Sequence, residues 1–170
     1  MDNKEIFKFV FMIIGVMLLQ ILIFNHIALF SIAFPIVFIY IIFRLPMSMG
    51  LSSLFTISFL LGLCIDIFSD TPGVNALACT LVAAVKRPVF YAYIDKDDHT
   101  KRIIPSVSTM GLGKYSKYLL TMTVIYCLLL FSIEYFNFAD VKDIVILTGA
   151  SALLSFIILL ATECLIFSKS

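Results

Sequence analysis

Two aspartates one helical turn apart, Asp66 and Asp70, with Gly62 a further turn before them, are the residues of this sequence best placed to do chemistry. Carboxylates at i and i+4 share one face of a helix, and paired carboxylate oxygens are ordinary ligands of hard divalent cations. Ionisable side chains inside apolar stretches are costly and mark function by default. That rule adds Lys86 and Arg87, which precede Pro88, and Glu163 near the end of the last apolar run. The aspartates also have a structural reading. They stand just before a run that opens Thr71-Pro72-Gly73, and negative charge is favoured at the N-terminal end of a helix. Thr71 is expected there as the N-cap and Pro72 as the first helical residue.

The spacing Gly62-x3-Asp66-x3-Asp70 is similar to the second half of the metal-binding signature of membrane CDP-alcohol phosphotransferases. Its first half needs Asp, Asp, Gly, Ala and Arg upstream, where this chain has Leu45, Ser48, Met49, Ser52 and Ser53. Other catalytic patterns are missing from the sequence. It has no Walker loop, HExxH or GxSxG, and its two histidines have no evident partner; His26 reads as a polar cap in a turn. Cys64, Cys79, Cys127 and Cys164 lie in separate apolar stretches without a CxxC pair, and read as small buried hydrophobes. The expectation is a protein that is not an enzyme and holds no metal or cofactor.

Composition says what must position these residues. The 170 residues are 62% hydrophobic and 14% charged, with a mean hydropathy of +1.10. So much apolar surface cannot be buried in an aqueous core of this size, so lipid is the expected solvent. The net charge of +1 implies no bulk attraction to nucleic acid.

A spanning helix needs roughly 20 apolar residues. Six runs qualify, at about 6–24, 27–43, 49–68, 71–93, 118–133 and 144–167, within one transmembrane domain over 1–170. The first follows Lys4 and Lys8 and lacks a small-x-small cleavage site, so it reads as a retained signal anchor. Pro35 should kink the second. The polar stretch at about 95–117 reads as a surface loop. With the N-terminus in the cytoplasm, every Lys and Arg except Lys142 falls on the cytoplasmic side, as the positive-inside rule requires. Both termini are then cytoplasmic, and Asp66 and Asp70 face outward.

Within that frame, Lys86 and Arg87 are expected to snorkel to the inner interface and Pro88 to end or bend the fourth helix. Glu163 is expected to pair with Arg87 or Lys86. Tyr91, Tyr93, Tyr115 and Tyr118 are expected as interfacial anchors. The small residues Ala76, Thr80 and Ala84, and Gly149, Ala152 and Ser155, mark two faces for close helix packing or for a partner's transmembrane helix.

Three stretches together resemble the rod-shape-determining MreD family. They are Asn25-His26-Ile27-Ala28-Leu29-Phe30 with Pro35, Gly62 to Ala76 through Asp66, Asp70, Gly73 and Asn75, and Arg87-Pro88. The resemblance covers almost the whole chain; Lys86 beside the arginine is its visible departure. It implies an all-α bundle of six helices in the bacterial cytoplasmic membrane, similar to the substrate-binding S components of energy-coupling-factor transporters. It also implies a non-catalytic role in cell-wall elongation, beside MreC, RodA and a class B penicillin-binding protein, and indirectly MreB. The alternative is a substrate-binding subunit of a vitamin-type transporter, which requires a polar pocket near the outer helix ends.

Overall fold

The computed structural model describes residues 15–21, 34–94, 104–135 and 141–168, and all its secondary structure among them is helical. The elements are α1 (15–21), α2 (Ile39–Arg44), α3 (Leu51–Ser69), α4 (Val74–Tyr93), α5 (Val107–Met110), α6 (Leu112–Glu134) and α7 (Val141–Ser168). Among the described residues, three helical segments are long and apolar enough to cross a membrane: Leu51–Ser69, Leu112–Glu134 and Ile144–Cys164. α4 has a spanning length of 20 residues, but Lys86 and Arg87 dilute its apolar character. The motif Asn25 to Phe30, the start of the first expected span and residues 95–103 of the expected loop lie outside the described residues.

The most extensive packing is of α3 on α4, followed by α6 on α7 and α4 on α6. Apolar side chains also point away from the bundle: Ile67 is 68% exposed, Leu153 60% and Ile157 63%. Such positions suit acyl chains and would be penalised in water.

The second expected span is not a continuous helix in its described part. Residues 34–37 form no regular secondary structure, and only the six residues of α2 follow as helix. Pro35 has no N–H to donate and disfavours the helical conformation in Phe34 before it. An irregular backbone among apolar helices survives only if its polar groups find partners, and here side chains supply them. Ser151 Oγ accepts from Phe34 N at 3.0 Å, and Ser155 Oγ from Ile36 N at 2.8 Å. Gln20 accepts from Val37 N at 2.8 Å and donates to the Pro35 carbonyl at 3.1 Å. Ser151 and Ser155 are one turn apart on α7, so a single helical face closes the gap.

α6 starts at Leu112, six residues earlier than the apolar run suggests. Gly111, with φ 74°, ends α5 and begins α6. Tyr115 and Tyr118 are therefore core residues, not interfacial anchors; with Leu119, Met122 and Tyr126 they form a fully buried stripe at helical spacing. The small-residue faces also divide. Ala76, Ala152 and Ser155 are buried, Thr80 is half-buried, and Ala84 and Gly149 are exposed. Cys79 and Cys127 are buried as expected, while Cys64 and Cys164 are exposed.

Among the described glycines, Gly62 is the one with the closest neighbours. A Cβ there would sit 2.5 Å from the Ala76 Cα and the Asn75 carbonyl oxygen, so α3 and α4 touch backbone to backbone. Gly62→Ala is expected to destabilise the protein by about 1–3 kcal/mol, read as a lower midpoint of heat-induced loss of the monodisperse peak in detergent. Gly149→Ala, with open space around it, should leave that midpoint unchanged.

Candidate functional site: the Asp66 junction and the Glu163 cluster

At the end of α3 the chain reverses through Asp70 at φ 53° and Gly73 at φ 85°. Left-handed backbone is tolerated best by Gly and then by Asn and Asp, which explains both residue types. Gly73, not Thr71, is the N-cap of α4, and Pro72 precedes the helix. A glycine cap carries no side-chain acceptor, so the first N–H groups of α4 need one from elsewhere. Asp66 provides it from α3. Its Oδ2 accepts from Ala76 N at 2.8 Å. Its Oδ1 accepts from Asn75 N at 2.9 Å, from Asn75 Nδ2 at 3.0 Å and from the Thr71 hydroxyl at 2.9 Å.

Asn75 extends the junction to a third helix, because its Oδ1 accepts from the Tyr126 hydroxyl of α6 at 2.6 Å. Tyr126 in turn stands edge-on to Phe38 at 5.9 Å. Gly62 permits the approach of α3 to α4 that puts Asp66 within reach. The structure thus brings Gly62, Asp66, Gly73 and Ala76 together, as one joint.

Lys86 and Arg87 do not snorkel. The fully buried Lys86 Nζ donates to the Leu45 carbonyl at 2.5 Å, and Arg87 Nη2 donates to the Met49 carbonyl. Together they hold the turn between α2 and α3. Pro88 does not end α4, which runs on to Tyr93. Proline removes one bond of the ladder, and packing of Phe90 in the core carries the helix past it.

Glu163 pairs with neither Lys86 nor Arg87. Its Oε2 lies 3.5 Å from Arg44 Nη1 and accepts from the Tyr40 hydroxyl, while Oε1 accepts from Val107 N at 3.3 Å. Arg44 also donates to Tyr40 Oη at 2.8 Å. The α4 cations are occupied by carbonyls, and Arg44, one turn after Tyr40 on α2, is the cation that reaches the carboxylate. Glu163 thereby joins α7, α2 and the start of α5. Tyr40, Arg44, Gln20, Ser151 and Tyr126 are working residues the sequence reading did not assign; only Gln20, an amide inside an apolar run, carried a visible signal.

A cavity of about 350 Å³ opens at the end of the bundle where α3 finishes and α4 begins. Phe34, Phe38 and Phe131 contribute aromatic walls, with Gln20, Asp70 and Glu134 among its polar lining. No family model, curated protein or solved structure matches this chain.

Chemically, the junction is a cap. Both oxygens of Asp66 are engaged by donors of the protein itself, and the residue is buried. Among the described residues no three His, Cys, Asp or Glu side chains converge as metal ligands do. Asp66→Asn keeps the shape but sets an NH2 group against N–H donors, so it should cost about 1–3 kcal/mol through the unsatisfied donors. Asp70→Asn should be nearly neutral, since Asn accepts the left-handed backbone equally well; thermal denaturation in detergent separates the two. For the second cluster, Glu163→Arg should be more damaging than Glu163→Ala. Arg44→Glu should rescue the reversal and Arg87→Glu should not, as a double-mutant cycle on the same melting assay reads out.

Proposed function

We propose that this chain is a non-catalytic membrane component of the bacterial cell-elongation machinery, working as an MreD-like protein. It would bind MreC and support the lateral peptidoglycan synthase formed by RodA and a class B penicillin-binding protein, and so act indirectly with MreB. In this reading the chain crosses the cytoplasmic membrane six times with both termini inside. The Asp66 junction then faces outward, while Arg44, Glu163 and α5 lie toward the cytoplasm.

The observation that carries the reading is how Asp66, Lys86, Arg87 and Glu163 are used. Each of them holds backbone: α4's first N–H groups for Asp66, carbonyls of the α2–α3 turn for Lys86 and Arg87, and the start of α5 for Glu163. An enzyme or ion carrier needs such groups presented to a substrate; a scaffold needs them to hold one shape. The Gly62, Asp66, Gly73, Asn75 and Arg87 positions that carry the family resemblance are also those that build the joints.

A second reading, the substrate-binding subunit of a vitamin-type transporter, is favoured by one observation. The cavity beside Asp70 lies at the helix ends where that reading requires a pocket.

Affinity purification of the tagged full chain from gently solubilised membranes separates the two. Recovery of MreC, or of RodA with its penicillin-binding partner, is the expected result. Recovery of an ATPase module with a transporter coupling subunit, or of none of these proteins, overturns the scaffold.

A further inference from the structure

The cavity at the α3–α4 end has an electrostatic character that neither reading uses. Asp70 is the C-cap of α3 and Glu134 is the last residue of α6, and neither helix has a basic residue in its last turn. The C-terminal end of a helix already carries partial negative charge, so a carboxylate there is unfavourable unless a cation joins it. Both carboxylates line the cavity, and its lining includes no Lys, Arg or His among the described residues. The ion pair found among those residues, Arg44 with Glu163, is elsewhere. The nearby positive pole, the N-terminus of α4, is already answered by Asp66.

Among the described residues, two helix ends and two carboxylates thus meet at one opening with no Lys, Arg or His in its lining. Beneath them the walls are aromatic: Phe34 and Phe131 lie 6.4 Å apart, and Phe38 stands edge-on to Tyr126. Aromatic faces attract cations and accept flat apolar groups. A volume of about 350 Å³ lies within the range of small-molecule sites.

We propose that this cavity binds a small organic cation, an ammonium group on a flat apolar body, with the charge toward Asp70 and Glu134 and the body against the phenylalanine walls. The site stands on the cavity's own chemistry, so its test is independent of which proteins co-purify. The ammonium could belong to a free solute or to the headgroup of an aminophospholipid.

Tryptamine is the probe, with indole-3-propionate as its anionic counterpart of similar size. The chain contains no Trp, so indole fluorescence excited selectively reports the ligand alone. The full chain, purified in an uncharged maltoside detergent, is expected to bind tryptamine saturably at one site and to show no saturable binding of indole-3-propionate. Asp70→Asn and Glu134→Gln should each weaken tryptamine binding by about tenfold, the loss expected when a charge-assisted bond becomes a neutral one. Both changes suit their backbone positions, and Glu134→Gln removes a charge opposed to the helix dipole. If Asp70→Asn fails to fold, Glu134→Gln alone decides. Displacement of tryptamine by added phosphatidylethanolamine would assign the headgroup as the source, and resistance to it a free solute. Equal binding of the anion, wild-type affinity in the folded variants, or no saturation overturns the proposal.

Discussion

The constraint on which the rest of this structure depends is that a backbone polar group facing apolar helices must be paired within the protein. Regular helices meet the requirement alone, but breaks between them do not, and among the described residues these include the irregular segment at 34–37, the turn between α2 and α3, and the start of α4. Each is closed by side chains that lie outside the break itself. Ser151, Ser155 and Gln20 close the first, Lys86 and Arg87 the second, and Asp66 the third. An unpaired buried amide or carbonyl costs several kcal/mol in hydrocarbon. These contacts therefore determine which helices may be neighbours.

The same constraint explains why the charges are not paired with one another in the obvious way. Lys86 and Glu163 are both fully buried or nearly so, and a salt bridge between them would join α4 to α7. It would leave the Leu45 carbonyl and the Val107 amide unpaired. Bonding each charge to backbone satisfies the peptide groups and spreads the ionic interaction to Arg44, whose side chain is 21% exposed and keeps part of its hydration. Burying a complete ion pair would have lost that hydration on both sides.

Much of this could be read from the sequence, and the failures follow a pattern. Apolar run length identified α3, α4 and α7 to within a few residues because lipid makes length and hydropathy nearly sufficient. Gly62 and Asp66 were legible as a pair because a glycine and a carboxylate one turn apart on an apolar helix are both expensive there. What could not be read was which partner each polar group takes. A similar depth in the membrane suggests pairing Glu163 with the α4 cations, but depth does not specify rotation about the helix axis. Tyr115 and Tyr118 look interfacial in the sequence because a tyrosine-rich helix start resembles an aromatic belt. Their burial depends on α6 beginning at Gly111, a backbone feature that hydropathy does not register. Pro35 announces a kink, but the irregular segment around it is held by Gln20 and by two serines more than a hundred residues later, which no local signal reveals.

The joints also bear on why a cavity persists beside them. Helices free to slide would collapse onto an opening walled by Phe34, Phe38 and Phe131, since dispersion and apolar burial favour filling such space. Here α3 is locked to α4 through the close approach at Gly62 and the bonds of Asp66, α6 to α4 through Tyr126 and Asn75, and the segment 34–37 to α1 and α7 through Gln20, Ser151 and Ser155. The elements that carry the walls are thus held to one another by directional bonds, which opposes collapse. An opening held in that way is preorganised: whatever enters it does not have to supply the energy of assembling its walls.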